Sequence, residues 1–226
     1  FVEGQPVTSS INLPALSKDV YEKIQSFYHL GRKLGLIASQ FMNIPVQELS
    51  VTYAGTVADL ETTYITRSLL AGFLQPRVAS TVNEVNAAMV AKERGITYGE
   101  KFSDETHGYA NCISLTVHGE NKTFTIKGTH VPNYGDRIVH FDGVAIDFAP
   151  EGHLLYIQHQ DRPGMIGKVG NILGAHDVNI ATMQVGRQEA GGKAMMILSL
   201  DKPVDDAVLK TLAQIDDIET VKRLEA

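Results

Sequence analysis

The sequence predicts an α+β chain of two domains, an antiparallel-sheet domain with helices followed by a ferredoxin-like βαββαβ domain. Before Ile96, apolar residues recur mainly at helical intervals, and from Ile96 the pattern alternates with a period of two. From residue 153 onward, strand and helix patterns follow one another in the order β, α, β, β, α, β. A length of 226 residues is enough for two ordinary domains.

The first domain opens with a predicted helix over residues 19–41, for which Ser17 is available as the N-cap. Residues 49–55 are apolar and β-branched enough to predict a short strand. A second helix is predicted over residues 63–74, and Pro76 follows its end. These elements place a helical layer beside the start of a sheet.

A third helix is predicted to open with Thr81 and Glu84 at capping-box spacing and to end at Gly95 in a left-handed C-cap. The chain after Ile96 is predicted to form an antiparallel meander. Its last two strands flank Asp142-Gly143, which is typical of a type I′ hairpin turn.

Turn residues at 148–152 predict a domain boundary, with the first domain over residues 1–150 and the second over residues 151–226. In the second domain the predicted strands cover residues 153–159, 179–188, 193–200 and 218–224, and the predicted helices cover residues 163–176 and 204–215. A small open sheet covered on one face leaves exposed edges, and pairing with a second copy is a common remedy. We therefore expect a homo-oligomer.

The composition limits the classes of partner. Lys and Arg number 20 against 26 Asp and Glu, a formal net charge of −6, which gives no general attraction to nucleic acid or to an anionic membrane. No apolar run approaches the roughly 20 residues of a membrane span, and the sequence starts without the pattern of a signal peptide. Cys112 is the single cysteine, so no intramolecular disulfide can form. We expect a cytoplasmic protein whose partners are small metabolites or proteins.

The stretch HQDRPG, residues 159–164, is the strongest candidate for a binding site. Pro163 suits the first position of a helix, and Gly164 lets another group approach closely. The free N–H groups at a helix start can receive a carboxylate, and Asp161 beside them can receive an ammonium group. Together these features suit the two ends of a free amino acid.

The predicted helix that follows carries a stripe of glycines, Gly167, Gly170 and Gly174. Each costs roughly 1 kcal/mol relative to alanine, so the stripe indicates something packed against bare backbone. One interpretation is a ligand or a neighbouring subunit; the other is that DRPG is only a tight turn and the glycines admit a bulky core residue of the same chain. The core face of this helix is predicted to consist of Met165, Ile166, Val169, Ile172 and Leu173.

Two further polar residues leave alternatives open. Asn179 opens the next predicted strand and is either a turn residue or a ligand contact, expected on the same side of the sheet as the loop at 159–164. His159 is either a hydrogen-bonding contact or the exposed end of a strand.

A reaction centre is not predicted. The sequence contains no G-x-G-x-x-G, Walker or H-E-x-x-H motif, and Cys112 lies in a strand pattern typical of a buried residue. We predict no catalytic residue and no metal site. Four basic residues of the meander could converge on a phosphate or carboxylate, but alternation equally scatters them, and an ordinary solvated sheet face is favoured. They are Lys122, Lys127, His130 and Arg137.

The segment HQDRPGMIGKVGNILGAHDVNIATMQVGR resembles an ACT domain, a small regulatory module that binds amino acids. Upstream, INLPAL, GRKLGLIASQF, TRSLLAGFL, VNEVNAAMVAKERGI and RIVHFDG resemble, in order, the segment after the catalytic domains of long-form D-3-phosphoglycerate dehydrogenases. The resemblance covers essentially the whole chain. It implies an intervening, allosteric substrate-binding domain up to about residue 150 and a serine-sensing ACT domain thereafter.

The resemblance also implies a role for the chain in a larger enzyme. The parent oxidises 3-phosphoglycerate with NAD at the start of L-serine biosynthesis, and its catalytic domains lie outside this chain. The expectation is a regulatory fragment without cofactor or turnover of its own, associated with those catalytic domains and forming a dimer or tetramer through the ACT domain. The alternative is a free-standing amino-acid-sensing module. A lyase subunit with similar accessory domains would need metal-cluster cysteines, and the sequence has one cysteine.

In the family, L-serine binds where two ACT domains meet. The positions that carry over are His159, Asp161 and Asn179. The loop and first helical turn beside them comprise Arg162, Pro163, Gly164 and Met165. Family members vary between an acid and an amide at position 161, and in the intervening domain Arg137 lies near one basic anion-site position while Ala149 lies near another.

Overall fold

The computed structural model describes residues 16–226. The segment INLPAL lies outside the described residues except for Leu16. The chain divides into two compact units, one ending at Arg137 and the other running from Ile138 to Ala226, so the division falls within a strand at Gly135–Phe141. By its contacts, the hairpin that precedes residue 150 belongs to the second unit. The boundary between sequence domains at residue 150 stays a prediction.

The first unit contains three α-helices in its described part, α1 at Lys18–Phe41, α2 at Thr62–Leu74 and α3 at Ala87–Glu93. The N–H of Val20 donates to the hydroxyl of Ser17 at 3.3 Å, which confirms the predicted N-cap of α1. Short 3₁₀ turns follow at Thr56–Asp59 and Gln75–Arg77. Helices α1 and α2 match the prediction to within one residue at each end.

Helix α3 begins later than predicted, and the capping box from Thr81 to Glu84 does not form. The N–H of Asn83 donates to the side chain of Asn86 at 2.9 Å, so asparagine side chains satisfy this turn instead. Glu84 is buried, and its carboxylate accepts a hydrogen bond from the Tyr28 hydroxyl. Because these side chains hold a turn, the helix starts only at Ala87.

The strands β1 at Val46–Gly55, β2 at Thr97–Ser103, β3 at Asn111–Gly119 and β4 at Thr123–Val131 form the sheet of the first unit in the order β2-β1-β3-β4. The pair β3–β4 is antiparallel, as predicted, and β1, for which the sequence predicted no partner, pairs antiparallel with β3. Strand β2 pairs parallel to β1 instead, so the prediction that the meander starts at Ile96 was wrong for this strand. The connection through α2 and α3 returns the chain to the same end of the sheet, which is the condition for a parallel pair.

One face of this sheet packs against α1 and α2. The buried residues on it include Leu49, Val51, Tyr53, Ile113, Leu115, Val117, Phe124 and Ile126. The two helices approach so closely that a Cβ on Gly35 would lie 2.1 Å from the Leu69 carbonyl oxygen, and one on Gly72 would lie 2.1 Å from the Arg32 carbonyl oxygen. Only glycine fits at this crossing.

In the second unit, strand β5 at Gly135–Phe141, whose first residues lie in the first unit, pairs antiparallel with β6 at Val144–Phe148. The turn between them has positive φ at both Asp142 (46°) and Gly143 (86°), which confirms the predicted type I′ hairpin.

The remaining elements are β7 at His153–Gln160, α4 at Met165–Ala175, β8 at Ile180–Arg187, β9 at Lys193–Leu200, α5 at Asp206–Ala213 and β10 at Ile218–Leu224. Their sheet has the order β10-β7-β9-β8, with antiparallel neighbours throughout. This is the predicted ferredoxin-like βαββαβ arrangement, and the fold class is confirmed.

Helix α4 buries Met165, Val169 and Leu173 against the sheet. Ile166, predicted as a core residue, is 54% exposed and lies on the outer face. A Cβ on any glycine of the stripe would meet no described atom within 4 Å, so no bulky core residue of the described chain packs there. No helix within residues 16–226 is long and apolar enough to cross a membrane.

Candidate functional site

The candidate site is the loop between β7 and α4. Gly164 is the N-cap residue of α4 and has a φ of +89°, a conformation that glycine adopts without strain. Helix α4 starts at Met165, so Pro163 stands one residue before the cap rather than at the first helical position. The loop turns at Gly164 and leaves the start of α4 free of any side-chain cap.

His159, near the end of β7, is 2% exposed, so the interpretation as an exposed strand end was wrong. Its Nδ1 lies 2.7 Å from the carbonyl oxygen of Gln160. A carbonyl only accepts, so Nδ1 carries the proton and Nε2 of the neutral ring is an acceptor. Nε2 is buried and has no hydrogen-bond partner among the described residues. A buried acceptor without a donor costs free energy, so this atom is a candidate ligand contact.

The carboxylate of Asp161 is held in place by two donors. Oδ2 accepts from the guanidinium of Arg187 and, at 3.0 Å, from the N–H of Gly191. The Gly191 hydrogen bond, followed by that of Arg187, holds the pKa of the Asp161 carboxyl below its usual range. Asp161 is therefore ionised at neutral pH and can receive a cationic group.

Two other predicted site residues, Arg162 and Met165, have structural roles in the loop and the core. Nη1 of Arg162 lies 3.2 Å from Oδ2 of Asp217, so this arginine shapes the loop through an ion pair. The side chain of Met165 is 2% exposed and belongs to the hydrophobic core under α4.

Asn179 lies at the opposite end of the sheet from His159, and the expectation that it shares a side with the loop was wrong. Its Nδ2 donates to Oδ2 of Asp201 at 2.7 Å, just beyond the end of β9. His159 pairs with Ala194 at the start of β9, and the stretch from Ala194 to the end of that strand spans about 20 Å. A single copy of the chain therefore cannot bring Asn179 to the loop.

Strand β8 is an edge strand, since β9 is its one neighbour in the four-stranded sheet. Asn179 immediately precedes it, and Arg187, the partner of Asp161, is its last residue. The two predicted contact regions thus lie at the two ends of one open edge.

The four basic residues of the predicted anion site do not converge. Nζ of Lys122 lies 2.8 Å from the Phe41 carbonyl oxygen, and Nζ of Lys127 lies 2.7 Å from Nε2 of His107. Nδ1 of His130 lies 2.9 Å from Oδ1 of Asp136. The Arg137 guanidinium lies over the ring of Tyr134, 5.1 Å from its centroid. Lys127 and His130 point to opposite faces of β4, because side chains alternate along a strand. The four residues therefore form no combined site, which agrees with the favoured interpretation of charges scattered over a sheet face.

Sequence reasoning missed the partners that fix the loop. Arg187, Gly191 and Asp217 contact Asp161 or Arg162 from distant parts of the sequence. No local pattern marks them, because the contacts depend on strand register. Among residues 16–226, no three His, Cys, Asp or Glu side chains cluster so that they could hold a metal ion.

The fold defines a class of protein, an α+β chain that combines a helix-backed sheet domain with a ferredoxin-like domain. Residues 23–142 match the model of the D-3-phosphoglycerate dehydrogenase intervening domain, and residues 153–217 match that of the ACT domain. The chain therefore belongs to the D-3-phosphoglycerate dehydrogenase intervening-domain family and carries an ACT domain behind it.

Curated relatives named D-3-phosphoglycerate dehydrogenase agree with this assignment. The protein of Bacillus subtilis is 54% identical over 225 residues, which is 100% of this chain and 43% of that protein. The protein of Methanocaldococcus jannaschii is 36% identical over 97% of this chain and 42% of its own length, and that of Archaeoglobus fulgidus is 34% identical over 96% and 41%. The chain thus spans less than half the length of these relatives.

Proposed function

We propose that this chain is the regulatory part of a cytoplasmic, NAD-dependent D-3-phosphoglycerate dehydrogenase of L-serine biosynthesis, and that its ACT domain binds L-serine as a feedback effector. The names of the relatives support the assignment to D-3-phosphoglycerate dehydrogenase, and the match to the ACT domain supports the regulatory role. In this proposal the oxidation of 3-phosphoglycerate with NAD belongs to the catalytic domains of the parent. The residues here do not fit NAD, because the sequence contains no G-x-G-x-x-G loop.

The observation that carries the proposal is the buried Nε2 of His159, which has no hydrogen-bond partner in the described part of the chain, beside the ionised Asp161. The ammonium or hydroxyl group of serine is a donor that satisfies Nε2. The carboxylate of Asp161 attracts the ammonium group, and the uncapped start of α4 offers N–H groups to the serine carboxylate. The loop thus supplies complementary groups for each polar part of the effector.

The same proposal places the complete site between two copies of the chain. When two β8 edges pair antiparallel, the start of one strand lies beside the end of the other. This arrangement brings Asn179 of the second copy next to Arg187 and Asp161 of the first. It also covers the open edge of the sheet.

Binding at such an interface links serine to assembly. A ligand held by residues of two copies has no complete site on one copy, so it stabilises the dimer by mass action. By reciprocity the dimer binds serine more tightly than the single chain. In the parent enzyme this linkage is the proposed route by which serine changes activity.

Calorimetric titration of the chain with L-serine tests the proposal. We expect saturable heat in the native chain and a loss of affinity of about tenfold or more in Asp161→Ala and Asn179→Ala. The matched control is Asn121→Ala, an exposed asparagine in the first unit, which should bind serine normally. Saturable binding of another amino acid with no response to serine would favour the free-standing sensor.

Mixing the two defective variants tests whether the site is shared. A mixed dimer of Asp161→Ala and Asn179→Ala chains contains one site with both residues intact and one with both missing. We expect serine binding to return in the mixture, to at most one site per mixed dimer. If both residues served a site within one chain, the mixture would stay inactive, and the shared-site geometry would be wrong.

A further inference from the structure

The four-stranded sheet of the second unit is covered on both faces. Helix α4 packs on one face, where Ile157 and Met196 belong to the core. Side chains alternate along a strand, so Tyr156 and Ile197 point to the other face, and both are buried there. The ring of Phe141, in β5, stacks on the ring of Tyr156 with 5.7 Å between the centroids. The hairpin of β5 and β6 therefore covers this second face.

The hairpin comes very close to the sheet at Gly186, on the edge strand β8. A Cβ on Gly186 would lie 2.5 Å from Cγ1 of Val144 and 3.2 Å from a carbonyl oxygen of the hairpin. Valine is branched at Cβ and stiff at χ1, so this methyl group cannot easily turn aside. At the tip of the hairpin, a Cβ on Gly143 would lie 2.3 Å from Nε2 of Gln188. The hairpin thus contacts β8 and the turn after it on both sides of Arg187.

The end of β8 and the turn after it fix the position of Asp161. The guanidinium of Arg187 and the N–H of Gly191 both donate to Oδ2 of the Asp161 carboxylate. The N–H of Asp161 itself donates to the carbonyl oxygen of Gly192 at 2.8 Å. All three contacts come from the stretch that begins directly after Gly186. The position of the carboxylate therefore depends on where the hairpin holds β8.

We propose that the hairpin of β5 and β6 is a positioning element for the effector loop, in which Val144 sets the place of Arg187 and, through it, that of the Asp161 carboxylate. The identity of the effector as L-serine rests on the proposed function, whereas the contacts between the hairpin and β8 do not depend on it. By reciprocity, an effector bound at Asp161 stabilises the position of the hairpin that presents this carboxylate. Strand β5 begins at Gly135, in the first unit, so the hairpin is covalently continuous with that unit.

A purely structural role of the hairpin makes a different prediction. If the hairpin only completed the core, disturbing its contact with β8 would lower the thermal stability and leave the Asp161 carboxyl as it is. If the hairpin positions β8, the same change weakens the hydrogen bonds from Gly191 and Arg187 that hold the pKa of Asp161 below its usual range. The pKa of Asp161 therefore separates the two roles.

The test uses Gly186→Ala in the full 226-residue chain. Because the added Cβ overlaps Val144, we expect a higher pKa of Asp161, measured by the pH dependence of its carboxyl ¹³C shift. We also expect calorimetry to show an affinity for L-serine about tenfold lower. The double variant Gly186→Ala with Val144→Ala replaces a glycine–valine contact by an alanine–alanine contact of similar volume, so both quantities should return towards their native values.

Two single variants complete the design. Val144→Ala alone guards against a folding defect in Gly186→Ala, because it withdraws support from β8 without an overlap, and it should raise the pKa of Asp161 by a smaller amount. Val208→Ala is the matched control, since it truncates a buried valine of the same unit in α5, among the core residues on the other face of the sheet. It should lower the melting temperature and leave the pKa of Asp161 unchanged.

The proposal is overturned if Gly186→Ala lowers the melting temperature as Val208→Ala does while Asp161 keeps its native pKa. It is also overturned if Val144→Ala does not reverse the effect of Gly186→Ala on that pKa. A native chain that does not respond to L-serine would contradict the proposed function alone, because the titration of the Asp161 carboxyl still decides whether the hairpin positions it.

Discussion

Nζ of Lys33 lies 3.0 Å from Oδ2 of Asp136, so one ion pair connects the middle of α1 to the start of β5 within the first unit. The other carboxylate oxygen of Asp136 lies 2.9 Å from Nδ1 of His130. The Asp136 side chain is 11% exposed and that of Lys33 is 26% exposed, so the pair is largely withdrawn from water. Removal of one partner leaves the other charge half-buried and unpaired.

Lys33→Met should therefore lower the free energy of unfolding by about 1–3 kcal/mol, between the values for exposed and fully buried pairs. Asp136→Asn should do the same, and the double variant should cost less than the sum. Urea denaturation measures all three. Lys18→Met, in a pair whose side chains are 86% and 59% exposed, serves as the control and should change stability by less than about 0.5 kcal/mol. Strict additivity would show that the two groups do not interact.

The Asp161 carboxyl should titrate below the ordinary aspartate value of about 3.9, chiefly because of the Gly191 hydrogen bond and then Arg187. A pKa lowered by folding stabilises the fold above the unfolded-state pKa, and this contribution is lost as the pH falls through the folded-state pKa. Arg187→Gln should raise the pKa part of the way back. The pH dependence of the Asp161 carboxyl ¹³C shift measures it, with Arg162→Gln as the control that leaves it unchanged. If the pKa of Asp161 were the same in Arg187→Gln as in the native chain, the ion pair between Asp161 and Arg187 would be contradicted.

Alanine at the crossing of α1 and α2 should be strongly destabilising. The added Cβ of Gly35→Ala or Gly72→Ala would lie 2.1 Å from a backbone oxygen, so the helices must separate, at a cost of about 3 kcal/mol or more. Gly170→Ala in α4 is the matched helical control, because its Cβ meets open space, and it should raise stability by up to about 1 kcal/mol. Thermal denaturation separates the two outcomes. Equal melting temperatures would mean that the close approach does not exist in solution.

Arg77 closes the end of α1. Its guanidinium donates to the carbonyl oxygens of Ser39 (3.4 Å), Met42 (2.5 Å) and Ile44 (2.8 Å). Arg77→Met leaves these acceptors without the charged donor and should cost about 2–4 kcal/mol in the free energy of unfolding. Arg77→Lys should recover only part, because a single ammonium group lacks the planar fork. Arg94→Met, an exposed neighbour, should stay within about 0.5 kcal/mol of the native chain.

The sequence predicted those features that depend on local periodicity. The limits of α1, α2 and all four strands of the ferredoxin-like sheet agree with the prediction to within one or two residues, because apolar spacing marks each of them. Helix α3 was predicted too long because residues 81–86 have the sequence pattern of a helix start. In the structure, the side chains of Asn83 and Asn86 hold these residues in a turn instead.

The candidate site was predictable only in part. The loop chemistry of Asp161 and Gly164 is encoded locally, whereas the placement of Asn179 follows from the pairing of β8 with β9. The cluster of Lys127 and His107 depends on strand register and on a positive φ, neither of which leaves a pattern in the spacing of residues. Long-range contacts were therefore the main source of error.

Strand β2 stands at one end of its sheet, paired parallel to β1 and reached only after α2 and α3 have formed the connection. Most of its side chains are exposed or half-buried, and Phe102 on it is 60% exposed. Loop closure over this long connection brings little apolar burial in return. During folding β2 should therefore join an already formed β1-β3-β4 ribbon last, and in the native protein its amide protons should exchange with solvent before those of the central strands.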